Sequence, residues 1–481
     1  MNWDLLLKLA YYLFLIGISI RVIYDTKSSV KASAYILLIF ILPILGVLIY
    51  LSFGLNYRKS GIYDKKLLLD DKQADRISEI IQFYLKKSKG AFKSRYNNFY
   101  GLSQMLFSDN KCLPTRNNKV KLLENGEQKF VYLLDALKNA KHHIHMEYYI
   151  YENDEIGNEI AKILMQKAKE GVEVRFIYDD FGSNRIRKNL VKKMRKNGVE
   201  AFAFYKVIFI YLANRLNYRN HRKIVIIDGE KAFVGGINVS DKYINKQITK
   251  NYWRDTHLMI EGEAVWELQR IFLADWNFCA NQEVKPRAEF FKEHTRLEAG
   301  QWVQVVSSGP DSKNPSILYS FLQAIAVAKK EVYITTPYLI PSEDFIQALH
   351  MAALRGVDVR ILVPEKSDSI FVNSVSKSYF RDLLSKGIKI YLYQKGFVHA
   401  KTMVCDEQLA VVGTANIDNR SFDLNFEVNA LVYDEDFATE LKTLFFKDLS
   451  DAKELELAEW SKRRKSIQIL EKAIRVFSPL L

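Results

Sequence analysis

In HRKIVIIDG, residues 221–229, a histidine and a lysine stand two positions apart ahead of an apolar run that Asp-Gly closes. Alone, this would pass as a strand with ordinary polar ends. The pattern His-x-Lys-x-x-x-x-Asp, however, occurs twice: as His221, Lys223 and Asp228, and in HAKTMVCD as His399, Lys401 and Asp406. Ordinary residue frequencies give one match about once in 10⁴ positions, so a matched pair is not an accident. Related stretches follow each copy: FVGGINVSD with Asn238, and VVGTANIDNRS with Asn416. Two imidazoles, two ammonium groups and two side-chain amides suit a phosphodiester. One neutral histidine can attack phosphorus while the other, protonated, gives a proton to the leaving alkoxide. The lysines and amides would hold the charge that develops on the non-bridging oxygens. Because lysines can do the work of a metal ion, the reading needs no metal and no cofactor.

Such a set requires that both copies reach one place. Side chains on a strand alternate faces, so His221 and Lys223 share a face, as do His399 and Lys401, while Arg222 and Ala400 point away. The flanking sequence is duplicated too. AKHHIHMEYYIYENDEIGNEIAKILMQKAKEGVEVRFIYDD from Ala140 answers AKKEVYITTPYLIPSEDFIQALHMAALRGVDVRILVPE from Ala328. Each reads as strand, loop, amphipathic helix, glycine, strand. The expected fold class is α/β: two pseudo-twofold-related α/β/α sandwich domains built on largely parallel sheets. His142, His143 and His145 invite a metal reading. No carboxylate set completes a ligand sphere, and the second copy has Lys330, Glu331 and Tyr333 there, so a structural role is expected.

The 481 residues carry a net charge of +14, which draws the chain to anionic partners, either nucleic acid or anionic lipid. Cys112, Cys279 and Cys405 imply neither a disulfide framework nor a metal site. The N-terminal region favours lipid. Residues 5–23 are apolar apart from Lys8 and Arg21, and residues 32–54 have no charged side chain. A bilayer core takes about 20 apolar residues of helix, so both runs predict spans and together a two-helix transmembrane hairpin. No basic residue precedes Lys8 and no small-residue cleavage site follows, which argues against a signal peptide. Arg58, Lys59, Lys65 and Lys66 after the second run lean the large domain toward the cytoplasm. The expected organisation is a hairpin over 1–55, a basic helical connector over 56–118, and domains over 119–305 and 306–481. The second domain ends in an amphipathic tail, SKRRKSIQILEKAIRVFSPLL, that could lie on a membrane or dock on the protein.

The duplicated His-Lys-Asp motif resembles that of the phospholipase D superfamily, from about Leu122 onward. Within it the chain is most similar to bacterial cardiolipin synthases, through LLENGEQKF, YDDFGS, NYRNHRKIVIIDGEKAFVGGINVSDKY, NYWRDTHLMIEGEAV, SSGPDS, TTPYLIP and GFVHAKTMVCDEQLAVVGTANIDNRSFDLNFEV. The resemblance implies two phospholipase D-like domains, location in the bacterial cell membrane, and ping-pong phosphatidyl transfer between two phosphatidylglycerol molecules through a phosphatidyl-histidine. By analogy His221 is the nucleophile and His399 the acid that later serves as base, an order the residues themselves do not set. Glu427 matches the family carboxylate that orients a histidine, and Asp255 in WRDT resembles its first-half partner at a different spacing. Asp228 and Asp406 would brace strand ends. The alternatives are a phospholipase D-type hydrolase or a transferase with another acceptor. A nuclease gains nothing from membrane spans, and a non-catalytic lipid scaffold leaves both motifs unexplained. Nucleic acid is therefore not an expected partner, and the oligomeric state is open.

Overall fold

The computed structural model describes residues 3–26, 29–51, 90–204, 218–245, 252–280, 282–292, 294, 297, 299–476 and 478. Each half begins with a strand, Thr115–Glu124 in the first and Gln301–Ser308 in the second, and these two pair antiparallel at the seam. Outward from the seam the first half runs through Thr256–Gly262, Lys231–Gly235, Lys223–Ile227, His143–Tyr148, Glu173–Tyr178 and Glu200–Ala203. The second half repeats that order through Asn425–Tyr433, Leu409–Gly413, Thr402–Cys405, Glu331–Thr335, Asp358–Pro364 and Lys389–Tyr393. Read outward from the seam, the two halves match strand for strand, which is the pseudo-twofold that the repeat predicts. The seam strand Gln301–Ser308 spans the 305/306 division and pairs with both Thr115–Glu124 and Asn425–Tyr433, so the two halves share one continuous sheet.

The largely parallel sheet of the sequence reading is corrected to a mixed one. Only the three outer strands of the repeat, such as His143–Tyr148, Glu173–Tyr178 and Glu200–Ala203, run parallel. They are joined by crossover helices, whereas the motif strand enters a hairpin and pairs antiparallel on both sides. The repeat's helices form where the sequence signals them. Asp154 caps Glu155–Lys169 by accepting from Gly157 N at 3.1 Å, and Ser342 caps Glu343–Leu354 through Phe345 N. Gly171 and Gly356 follow these helices at φ 91° and 86°, the left-handed stop that glycine adopts without strain.

Three large apolar clusters give the layering. One lies against the first half of the sheet among Leu133, Ile160, Leu164 and Met194, and one against the second half among Phe321, Phe345, Leu349 and Phe380. The third lies on the opposite face of the sheet and joins Ile224, Ile226, Val404 and Val412 to helices Val265–Ala280 and Glu435–Leu449. Helix Asn97–Asn110, within the expected connector, packs Phe99, Leu102 and Leu106 into the second half's outer core.

At the N-terminus the helix Trp3–Asp25 is long and apolar enough to cross a membrane, and it buries only Leu15 and Val22 against protein. The second apolar run departs from expectation. It forms Ser29–Ile41 and then Pro43–Ile49, broken at Leu42 (φ −131°, ψ 76°). Pro43 disfavours helical backbone in the preceding residue, and Gly46 lets the second piece fold back onto Ile39, where a Cβ would lie 2.6 Å from its Cα. Thirteen helical residues rise about 20 Å, short of the roughly 30 Å bilayer core. Residues 52–54 of that run lie outside the described residues.

Candidate active site

Regular pairing of the motif strands begins at Lys223 and Thr402. The histidines therefore sit in the lead-in to their strands, and the backbone around them pairs across the seam. His221 N donates to Phe426 O at 3.0 Å, and His399 N donates to Arg254 O at 2.7 Å. Just before each histidine a short parallel pairing forms with the opposite half: Arg219–Asn220 with Asn425–Phe426, and Gly396–Val398 with Tyr252–Arg254.

This crossing sets the side chains. His221 Nδ1 lies 2.9 Å from Glu427 Oε2, and His399 Nδ1 lies 2.7 Å from Asp255 Oδ2, so each imidazole is held by a carboxylate of the other half. Both carboxylates are fully buried, and both histidines are 8% exposed. Glu427 also accepts from Thr414 Oγ1 and, at 3.2 Å, from Asn425 Nδ2. Gly236 occupies the place of Thr414 in the first half, where a Cβ would lie 2.1 Å from Asp255 Oδ1. The glycine makes room for the carboxylate that the threonine, on its own side, grips. Lys223 Nζ and Lys401 Nζ donate to the carbonyls of His221 and His399, their own motif histidines.

Burial dominates the electrostatics. It pushes Lys223 down to about 7 against the pull of Glu427, with Lys401 adding to the depression. It pushes Lys401 down to about 8 against Asp255 and Glu427. Burial and Lys401 lower His399 to about 3 despite Asp255, and burial lowers His221 despite Glu427. Burial alone would raise both carboxylates, but the paired imidazoles and the lysines hold Asp255 and Glu427 below their usual values. The free site thus holds ionised carboxylates and neutral imidazoles, with the lysines titrating near neutrality. Two buried lysines beside neutral imidazoles offer positive charge to an entering anion, whose approach favours their ammonium form.

The other residues singled out from sequence fall in different places. Asn238 Oδ1 accepts from Ile150 N at 3.0 Å and its Nδ2 donates to Tyr243 Oη at 3.1 Å. Asn416 N donates to Ser421 Oγ at 3.2 Å, and its buried Oδ1 has no partner among the described residues. Asp228 accepts from the backbone amides of Lys141, His142 and His143 at 2.7–3.0 Å. Asp406 does the same for Lys329, Lys330 and Glu331. Both sit at positive φ, 56° and 54°, in the turn that ends the motif strand, roughly 20 Å of extended chain from the histidines. His143 Nε2 and His145 Nδ1 lie 3.3 Å and 2.9 Å from Gln269, and His145 Nε2 faces Arg175 at 3.2 Å. Among the described residues no cluster of His, Cys, Asp or Glu could hold a metal ion.

Sequence reasoning missed the aromatic walls. Tyr149 meets the His221 ring edge-on at 4.9 Å between centroids, and Trp253 and Phe397 lie 5.2 Å and 5.8 Å from the His399 ring. Arg222 turns from the site as the strand alternation predicts, but its partner there, buried Asp275, was not foreseen. The placement of aromatics beside both motifs was the available signal for the first. Nothing local marked the second.

Residues 133–276 and 321–449 match the family profile described as "Cardiolipin synthase, PLD-like domain". Cardiolipin synthase 2 of Bacillus anthracis is 42% identical over 97% of this chain and 90% of its own length. The major cardiolipin synthase of Bacillus subtilis (strain 168) is 39% identical over 98% of each chain. Among solved structures, phosphatidylserine synthase of Haemophilus influenzae Rd KW20 aligns with a TM-score of 0.61 at 15% identity, covering 79% of this chain and 99% of that one, a likeness of fold.

Proposed function

The chain belongs to the cardiolipin synthases of the phospholipase D superfamily, and from that premise we propose that it moves a phosphatidyl group between two phosphatidylglycerol molecules, giving cardiolipin and glycerol. The observation that carries the chemistry is the crossed pairing of His221 with Glu427 and His399 with Asp255. Each pairing engages Nδ1 and leaves Nε2 for the substrate, the tautomer that attack or proton transfer requires.

In the first half-reaction His221 Nε2 attacks phosphorus. A P–N bond forms as the bond to the glycerol oxygen breaks, and His399 gives its proton to that oxygen. The entering phosphodiester adds a negative charge beside His399 and so raises its proton affinity. Lys223 and Lys401 stabilise the charge on the non-bridging oxygens of the five-coordinate phosphorus, and Asn238 and Asn416 can add only the amide hydrogens not already given to Tyr243 and Asp418. In the second half-reaction a primary hydroxyl of another phosphatidylglycerol gives its proton to His399 and attacks. The new P–O bond forms, the P–N bond breaks, and His221 is free.

Both substrates are lipids, and helix Trp3–Asp25 anchors the enzyme among them in the bacterial membrane. A second crossing by residues 32–54 requires the bend at Leu42–Pro43 to open. The basic flank that follows favours a cytoplasmic catalytic domain. The test gives purified enzyme phosphatidylglycerol labelled in acyl chain and headgroup. Cardiolipin and free glycerol should appear in equal amounts, with only acyl label trapped on protein, at His221. Phosphatidic acid as sole product would replace the synthase with a hydrolase.

A further inference from the structure

Helix Lys465–Arg475 is docked on the second half the wrong way round for a water-soluble protein. Gln468, Glu471 and Arg475 face the protein, together with Ile474. Glu471 is buried and takes both Arg463 nitrogens at 2.8 Å. Gln468 donates to the carbonyls of Ser461 and Arg463. Arg475 donates to Asp382 at 2.6 Å and lies over the Tyr379 ring. The other apolar side chains face out instead: Ile467, Ile469, Leu470 and Val476 are 45%, 68%, 60% and 47% exposed. At about 100° per residue these positions fall with Ala473 on one half of the helix circumference, which only Ser466 interrupts. Scattered exposed apolar residues are ordinary, but a contiguous face marks something that covers it.

Two observations identify the cover. Lys462, Arg464, Lys465 and Lys472 are exposed, and Glu471, the only acid in 461–475, is turned inward. A second copy laid on this face would oppose like charges, whereas anionic headgroups would complement them. The tail is also tied by polar contacts to the apolar N-terminal segment. Ser478, just past the helix, bonds Tyr379 Oη and receives Asn419 Nδ2. Asn419 opens the short helix Asn419–Asp423, whose Asp423 pairs at 2.5 Å with Lys31 in the first turn of Ser29–Ile41. Ile370 and Phe371 are likewise exposed, at the head of the helix Ile370–Ser385 on which the tail packs.

We propose that helix Lys465–Arg475 is a bilayer-docking element: Ile467, Ile469, Leu470 and Val476 enter the acyl boundary of an anionic membrane while Lys462, Arg464, Lys465 and Lys472 meet headgroup phosphates. The docking deepens the membrane reading above and holds the domain against the surface that supplies its lipids. It does not depend on which reaction the site performs.

The test uses the full chain carrying Cys279→Ser and Leu470→Cys, labelled with an environment-sensitive fluorophore; Cys112 and Cys405 are buried. The protein is reconstituted in bilayers of phosphatidylglycerol and phosphatidylcholine. A nitroxide on the lipid chains should quench the probe strongly, and aqueous iodide should not. Quenching by iodide alone overturns the proposal. Protection from both quenchers that rises with protein density overturns it in favour of a second copy. Ile469→Ser with Leu470→Ser should lower turnover several-fold on bilayers and leave it unchanged in mixed micelles. Failure of the unaltered enzyme to make cardiolipin would strike the functional reading and leave the quenching result intact.

Discussion

The crossed carboxylates make a prediction that neither motif makes alone. Glu427 stands in the second half but serves His221, and Asp255 stands in the first half but serves His399. Glu427→Gln keeps the shape and the contact with Asn425 while removing the charge. An imidazolium and a carboxylate with centres roughly 4 Å apart, at an effective dielectric of about 20, attract by about 4 kcal/mol. Losing that from the transition state slows the step by about 10³-fold. Asp255→Asn should cost a similar factor, but at a different step. The assay is rapid-quench kinetics on a phosphatidyl ester of p-nitrophenol, whose leaving group needs no proton. With His399→Ala, the burst of nitrophenolate should survive and the phosphatidyl-enzyme accumulate, because only the acceptor's activation fails. Asp255→Asn should reproduce that burst. Glu427→Gln should abolish it, as His221→Ala does. If Asp255→Asn lost the burst while Glu427→Gln kept it, the pairing or the assignment of roles would be wrong.

The proposed mechanism uses the lysines as ammonium ions, and burial lowers Lys223 to about 7 and Lys401 to about 8. The kcat/KM profile, which reports the free enzyme, should therefore fall as pH rises through about 7 to 8; a profile flat to pH 10 would remove them from phosphate binding. Gly236→Ala puts a Cβ 2.1 Å from Asp255 Oδ1 and should lower kcat by about 10²-fold by displacing the carboxylate. Gly171→Ala meets no neighbour within 4 Å and should show only a loss of about 1 kcal/mol in denaturant unfolding, from its positive φ. Asp228→Ala orphans the amides of Lys141, His142 and His143 and should cost about 3 kcal/mol of stability. The kcat of the folded Asp228→Ala fraction should stay within a few-fold of the parent, which separates a bracing carboxylate from a reacting one.

What the sequence alone determined is what repeats or is local. Two copies of His-x-Lys-x-x-x-x-Asp sit in equivalent frames, and GVEVRFI and GVDVRIL mark equivalent strands after glycine-stopped helices. Residues 5–23 read as a membrane helix because helix length and hydropathy are properties of one segment. The tertiary structure decided what depends on which segments meet. Glu427 and His221 are 206 positions apart, and only the twofold packing of the halves gives each histidine the other's carboxylate. The mixed sheet followed from hairpin closure around the motif strand, which an alternation of strands and helices does not report. The break at Leu42 was written in Pro43, but whether a proline bends a helix or is absorbed depends on the neighbours that satisfy the freed backbone. The tail's periodicity announced an amphipathic helix. Which face turns inward was settled by Asp382, Tyr379 and Arg463, partners that hydrophobic periodicity cannot name. Local pattern fixes the chemistry that each side chain carries. The long-range fold fixes its partner, and in this enzyme the partners lie across the seam.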